Sequence, residues 1–269
     1  MAYLSPTLNV MLAAAKKAGR GLARDFGEVE QLQVSLKGTN DFMSTADLKA
    51  EQTLHRELKK ARPDFGFLLE ESGAEEGRDK DNRWIIDPLD GTINFLHGIP
   101  HFSISIALER CSEIVAGVIY HPVADELYYA EKGNGTYLND RRLRVSARRR
   151  IEEALFATGI PFLGRPAHGQ FLAELQAVMA HSAGVRRMGS AALDLAYVAA
   201  GRYDGYWERN LSPWDVAAGC LIVREAGGYV SEVGGGRNPV FMRSILATND
   251  HLYKPLGDLL QISSKEKSS

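Results

Sequence analysis

The sequence predicts an α/β protein of the α+β type, built as two closely packed portions. Three observations predict it. Apolar residues recur at helical spacing near both ends of the chain. The stretch from His101 to Tyr129 alternates as paired strands do. Two short apolar runs, Phe65 to Leu69 and Trp84 to Ile86, each end in a cluster of acidic residues. A length of 269 residues allows one large domain or two intimate ones, and a soft boundary near Arg148 divides the chain into 1–148 and 149–269.

From the start, Ser5 and Pro6 make a cap and first position for a helix whose apolar face is Leu8, Met11, Leu12, Ala15, Ala18 and Leu22, running to about Asp25. Gln31 to Leu36 alternates weakly and is a candidate strand, and Lys37 to Asp41 is a loop of turn formers. Ser44 or Thr45 caps a second helix, with Asp47 in its first turn, where the helix dipole favours a carboxylate. Arg62-Pro63-Asp64 ends it. The run Phe65 to Leu69 then delivers Glu70, Glu71 and Ser72.

From Phe102 onward the apolar alternation, broken at Cys111 to Glu113, Pro122 to Glu126 and Gly133 to Gly135, gives an antiparallel meander. Glu153 to Gly159 is a further strand, Gln170 to His181 a helix, and Ala191 to Tyr197 a helix capped by Ser190 and closed by Gly201. Tyr203 to Trp207 is strand-like and ends in Glu208. Ser212 and Pro213 open another helix, with Asp215 in its first turn and Gly227-Gly228 at its end. Tyr229-Val230 and Ser244 to Ala247 are short strands, His251 to Leu260 is a last helix, and the polar tail Ser263 to Ser269 is expected to be disordered.

Composition narrows the function classes. Hydrophobic residues make up 45% and charged residues 25%, the usual balance of a soluble globular protein. A net charge of −2 gives no overall attraction to nucleic acid or an anionic membrane. The concentrated exception is Arg141, Arg142, Arg144, Arg148, Arg149 and Arg150, a pattern that a solvated face also produces. Cys111 and Cys220 lack metal-type spacing and read as buried free thiols of a reducing compartment. Lys16, Lys17 and Arg20 follow the first apolar residues, the wrong order for a secretory signal, and no run is long enough to span a membrane. A cytoplasmic enzyme is the expectation.

The chemistry concentrates in Arg83 to Phe95, RWIIDPLDGTINF. Pro88 removes a backbone donor and should stop the strand, while Gly91 permits conformations closed to other residues. The turn therefore aims Asp87 and Asp90 outward from a rigid strand end. Two hard oxygen ligands with the Leu89 carbonyl between them suit Mg²⁺, although Asp also favours turns for its own backbone bonds. The amides after Gly91 could cradle a phosphate.

This string resembles the signature of the inositol monophosphatase family, Mg²⁺-dependent and lithium-sensitive phosphatases that share a fold with fructose-1,6-bisphosphatase. The resemblance extends to Thr45-Ala46-Asp47, Glu70-Glu71-Ser72, Gly189-Ser190-Ala191-Ala192 and Trp214-Asp215-Val216-Ala217-Ala218-Gly219, in order, over about Ser5 to His251. The bacterial branch is the most similar between Arg186 and Gly228. Ile93 stands where many members have a second Thr.

The resemblance implies a layered α-β-α-β-α sandwich and a commonly dimeric enzyme releasing phosphate from a small phosphorylated polyol. It implies a first Mg²⁺ on Glu70, Asp87 and the Leu89 carbonyl, and a second on Asp87, Asp90 and Asp215, with a weaker third near Glu70. Paired metals of this kind hold the attacking and leaving oxygens together. Asp47 and Thr92, with Glu70, would orient and deprotonate the attacking water. The amides of Gly91 and Thr92, with Asp90, would face the phosphate. Glu208, Gly189, Ser190, the Ala191 backbone, Asp215 and Arg186 would line the polyol side, although Arg187 could exchange roles with Arg186. Lys37 would help gather phosphate or metal. Other esters remain open, among them fructose 1,6-bisphosphate, histidinol phosphate and a nucleotide 3′-phosphate. So does a binding role in a transcription or ribosomal RNA complex.

Overall fold

A computed structural model of the chain describes residues 4–28, 34–37, 41–162, 164 and 166–265, with the backbone alone for 34–37, 41–44 and 262–265. Seven helices and three sheets are seen among the described residues. The chain opens with α1 (Pro6–Phe26), whose first turn is capped by Ser5 accepting from the Leu8 amide at 3.1 Å. The hairpin β1 (Val34–Lys37) and β2 (Asp41–Ser44) follows, then α2 (Thr45–Ala61).

An eight-stranded sheet comes next. Its strands are β3 (Phe65–Leu69), β4 (Gly73–Glu75), β5 (Asp79–Asp90), β6 (Ser103–Arg110), β7 (Glu113–His121), β8 (Glu126–Glu131), β9 (Gly135–Leu138) and β10 (Arg141–Arg142). The order is β10-β9-β8-β7-β6-β5-β3-β4, antiparallel except where β3 runs parallel to β5. The short helix α3 (Thr92–Leu96) lies in the β5–β6 connection.

The second half adds β11 (Leu155–Thr158), α4 (His168–Met179), β12 (Gly184–Arg186), α5 (Ala191–Ala199), β13 (Gly205–Arg209), α6 (Pro213–Glu225), β14 (Tyr229–Ser231), β15 (Ser244–Thr248) and α7 (Asp250–Lys265). Its five strands form a mixed sheet in the order β12-β11-β13-β15-β14.

The layers follow from which face each strand buries. In β5, Trp84 and Ile86 pack with α1 and α2, whereas Ile85 packs with α5 and α6. Successive side chains of a strand point to opposite faces, so a strand covered on both sides must be apolar without a break. The five-stranded sheet repeats the arrangement: Tyr206 and Ala247 face α5 and α6, while Phe156, Trp207 and Leu246 face α4 and α7. The result is helix, sheet, helix, sheet, helix, in agreement with the expected sandwich. Full burial of side chains such as Ile86 and Ile106 contributes roughly 1.5–3 kcal/mol each. α6 lies so near β7 that a Cβ on Gly117 would come within 2.9 Å of the Ala218 carbonyl.

Several local expectations need correction. Pro88 does not end its strand. β5 continues to Asp90, and the proline falls in an irregular step where Asp87 pairs with Ser105 and Asp90 with Ser103. At such a step no ladder donor is required, so proline is tolerated. The strand expected at Tyr203 to Trp207 begins at Gly205 and includes Glu208 and Arg209. α7 runs through Pro255 to Lys265, so 263–265 are helical, and 266–269 lie outside the described residues, as do 31–33 and 38–40. Both cysteines are free, but Cys111 is exposed in the β6–β7 turn and only Cys220 is buried. No helix among the described residues is long and apolar enough to cross a membrane.

Candidate active site

A cavity of about 400 Å³ opens where the carboxyl end of β3, the end of β5, the start of α5 and the β13–α6 connection meet. Glu70, Asp90, Gly91, Thr92, Gly189, Ser190, Ala191, Glu208 and Asp215 all line it. Residues more than a hundred positions apart are thus brought to one wall.

The parallel pairing of β3 with β5 aligns Leu69 with Ile86 and ties the Glu70 amide to the Ile86 carbonyl at 3.2 Å. The next residues along, Glu70 and Asp87, therefore stand side by side and their carboxyls hydrogen-bond. Asp87 is buried, and its Oδ1 also accepts from the Leu89 amide at 2.9 Å. Burial pushes both carboxyls well above the usual carboxylate range. The negative neighbours reinforce the rise: chiefly Asp215 for Glu70, and Glu70, Asp90 and Asp215 for Asp87.

Asp90 is raised to about 6 by burial, against the pull of the Ser190 hydroxyl and the Ala191 and Ala192 amides that stabilise its charge. The Ala192 amide lies 2.8 Å from Oδ2, and the Ser190 hydroxyl donates to the same oxygen. Asp90 thus joins the end of β5 to the start of α5. Gly91 turns the chain with φ 96°, and a Cβ there would meet the His101 carbonyl at 3.1 Å and the Gly189 carbonyl at 3.3 Å. Thr92 donates its hydroxyl to the Leu89 carbonyl at 2.9 Å. Asp215 occupies the first turn of α6, with its Oδ2 accepting from the Ser212 amide at 2.7 Å. Asp47, in the first turn of α2, is buried and close enough to raise the Glu70 carboxyl further.

Near the end of β13, Glu208 accepts from the Tyr206 hydroxyl. Its carboxyl fills the space a Cβ on Gly159 would occupy. Arg187, not Arg186, lines the cavity: Arg186 is exposed and donates to its own neighbour's carbonyl, Val185, at 3.2 Å. Lys37 lies in β1, and its side chain is outside what is described.

Three contributors escaped the sequence reading. Glu51, buried on α2, accepts from the Glu71 amide at 2.9 Å and from the Ser72 hydroxyl, and so shapes the turn that presents Glu70. Its spacing of four from Asp47 on one helix face was the available signal. Asn94 donates to the carbonyls of His101 and Met188, both at 2.8 Å, locking the β5–β6 connection to the segment before α5. Asp194 is buried in the first turn of α5.

Among the described residues no three Asp, Glu, His or Cys side chains stand in a ready metal-holding arrangement. The donor set nevertheless fits a divalent cation. Glu70, Asp87, Asp90 and Asp215 are linked by mutual repulsion in a buried place, a distribution that calls for protons or a cation. All are hard oxygen donors, and a carboxylate has about four lone-pair sites, more than the protein bonds named above use.

A helix-sheet-helix-sheet-helix sandwich with an acidic cavity between its sheets matches a known class. The sequence profile of the inositol monophosphatase family fits residues 3–266, and the chain belongs to that family. It is 60% identical over 252 residues, 94% of this chain and 95% of the relative, to the inositol-1-monophosphatase of Mesorhizobium japonicum. It is 42% identical over 253 residues, 94% of this chain and 95% of the relative, to the Nus factor SuhB of Escherichia coli. The crystal structure of the extragenic suppressor protein suhB from Bartonella henselae superimposes with a TM-score of 0.94 at 58% identity, covering 96% of this chain and 99% of that one.

Proposed function

We propose that this chain is a Mg²⁺-dependent phosphomonoesterase that hydrolyses myo-inositol monophosphates to inositol and phosphate. The observation that carries the reading is the shared cavity of Glu70, Asp90, Asp215 and Glu208, with Asp87 hydrogen-bonded to Glu70 behind it. Family membership and the relatives named inositol-1-monophosphatase support it.

Glu70, Asp87, the Leu89 carbonyl, Asp90 and Asp215 would hold two to three Mg²⁺. When bound, the ions would neutralise the phosphate dianion and lower the pKa of an attacking water. The protein's own part is orientation and proton handling. Thr92 donates a hydrogen bond to the Leu89 carbonyl, which leaves its oxygen to accept one from the attacking water and so orient it. Asp47, buried beside Glu70, would take the proton that this water loses. The amides of Gly91 and Thr92 would hold phosphate oxygens as charge develops on them. Glu208, Ser190, Gly189 and the Ala191 backbone would meet the polyol hydroxyls, with Arg187 nearer the substrate than Arg186.

Phosphate release from inositol 1-phosphate with Mg²⁺ tests the reading. Turnover that disappears in Asp90→Asn is expected, and absence of turnover in the parent protein would overturn it. Inhibition by lithium is expected in the same assay. A panel with fructose 1,6-bisphosphate, histidinol phosphate and a nucleotide 3′-phosphate ranks the alternatives.

We also propose a homodimer. Ile93, Ile99 and Met188 are all more than a third exposed. Asn94 draws them together, accepting from the Ile99 amide at 2.8 Å and donating to the Met188 carbonyl at 2.8 Å. Sedimentation of the parent and of Ile99→Lys checks it, with a shift to monomer expected in the variant.

The relative named as a Nus factor favours a second reading, an added binding role in a transcription complex. Within the basic segment, Arg148 is ion-paired with Asp204 at 3.1 Å and Arg150 with Glu153 at 3.6 Å, which leaves Arg141, Arg142, Arg144 and Arg149 as its freer charges. A pull-down that survives Asp90→Asn and fails after Arg148, Arg149 and Arg150 are neutralised would support that role.

A further inference from the structure

Glu174 of α4 is almost wholly buried, yet it lines the cavity. Its Oε1 accepts hydrogen bonds from Arg209 Nε at 2.9 Å and Gln170 Nε2 at 3.1 Å, and lies 2.8 Å from Arg209 Nη2 in an ion pair. Arg209 is the last residue of β13, directly after Glu208, and it lines the cavity too. Side chains alternate along this strand. Tyr206 and Glu208 point toward α5, where the Tyr206 hydroxyl donates to Glu208. Trp207 packs toward α4 and α7, and Arg209 follows it to that side. The strand end is therefore gripped from both faces. Immediately beyond it, Asn210 bends the chain at φ 64°, and Leu211 and Ser212 lead on to Asp215.

A buried ion pair adds little net stability compared with apolar residues of similar size, because desolvation offsets much of the attraction. Packing alone would be served by an apolar pair of similar volume. What an ion pair supplies is direction, since the guanidinium fork is rigid.

We propose that Glu174 and Arg209 are positioning residues for substrate recognition: their ion pair, anchored on the buried Glu174 carboxylate, fixes the aim of Glu208. This rests on the polyol-phosphatase reading above. Neither residue reacts. The pair sets how well ring hydroxyls are met, so its loss acts on esters that carry such hydroxyls and spares those that do not.

The test compares the parent protein, Glu174→Gln, Arg209→Met and Arg209→Lys on inositol 1-phosphate and on 4-nitrophenyl phosphate, each with Mg²⁺. Glu174→Gln keeps the size and an acceptor and guards against a folding failure in Arg209→Met. We expect KM for inositol 1-phosphate to rise about tenfold in Glu174→Gln and Arg209→Met, with kcat changed less than about twofold. Turnover of 4-nitrophenyl phosphate should stay within about twofold, and Arg209→Lys should recover part of the loss. Equal losses on both esters would show a merely structural pair, and no change on either would show an idle one; each overturns the proposal. A parent protein that turns over neither ester instead overturns the functional reading on which it stands.

Discussion

The carboxyls of Glu70 and Asp87 are hydrogen-bonded to each other at the ends of two parallel strands. Two carboxyls can share such a bond when a proton lies between them, and burial with like charge favours that proton. Folding at neutral pH must therefore either hold that proton or keep two like charges together, a cost that a cation would relieve. Asp87→Asn is expected to remove most phosphatase activity, by at least roughly 100-fold, exceeding the 10–100-fold typical of outer partners of a metal site. Without metal, the same variant should melt a few degrees higher than the parent, since a buried like-charge contact is gone. Steady-state kinetics and metal-free thermal unfolding measure the two effects; an unchanged or lower melting temperature would contradict that cost.

Glu51 holds the turn that presents Glu70 through the Glu71 amide and the Ser72 hydroxyl. Glu51→Ala should therefore act at a distance. We expect activity to fall about 10–100-fold, as for other partners that orient a ligand without touching it. The Mg²⁺ concentration for half-maximal rate should rise with it, and a titration of rate against Mg²⁺ reads both.

Gly91 adopts φ 96° and has the His101 and Gly189 carbonyls close by. Gly91→Ala adds the left-handed penalty of roughly 1–2 kcal/mol and a close contact to two backbone oxygens. Denaturant unfolding should show at least that loss, and kcat/KM should fall because the Thr92 amide is displaced. Asn94→Ala offers a second probe of the connection. It strips a buried bond from the His101 carbonyl, worth about 1–3 kcal/mol when left unmade, and a part-buried one from the Met188 carbonyl.

His101 is buried edge-on to His121, with ring centroids 5.9 Å apart, and burial with the neighbouring imidazole lowers its pKa to about 4. Unfolded, it titrates near 6.5. Between these values the unfolded chain binds more protons than the folded one, so stability rises with pH. The contribution is complete above about pH 6.5 and is lost as pH falls toward 4, by at most roughly 3 kcal/mol. The difference in unfolding free energy between the parent and His101→Gln across pH 4–7 should show this slope, because the raised carboxyls of Glu70, Asp87 and Asp90 act in the opposite sense in both proteins.

Elements that follow from local rules are legible in the chain without its fold. The Ser5-Pro6 and Ser212-Pro213 starts are local signals, because the groups that satisfy each helix end lie within a turn of it. The acidic residues at the ends of β3 and β5 were legible for the same reason, as abrupt changes from apolar to charged at a strand end. Pro88 misled because its own rule is local, whereas a tolerated irregular step depends on a partner strand, where Asp87 meets Ser105 and Asp90 meets Ser103. Which distant groups meet depended on packing: that β3 runs parallel to β5 and so sets Glu70 against Asp87, that Arg187 rather than Arg186 borders the cavity, and that Glu51, Asn94 and Glu174 support it. Such partners are chosen by register and by the packing of layers, and those depend on the summed burial of many side chains from both halves of the chain.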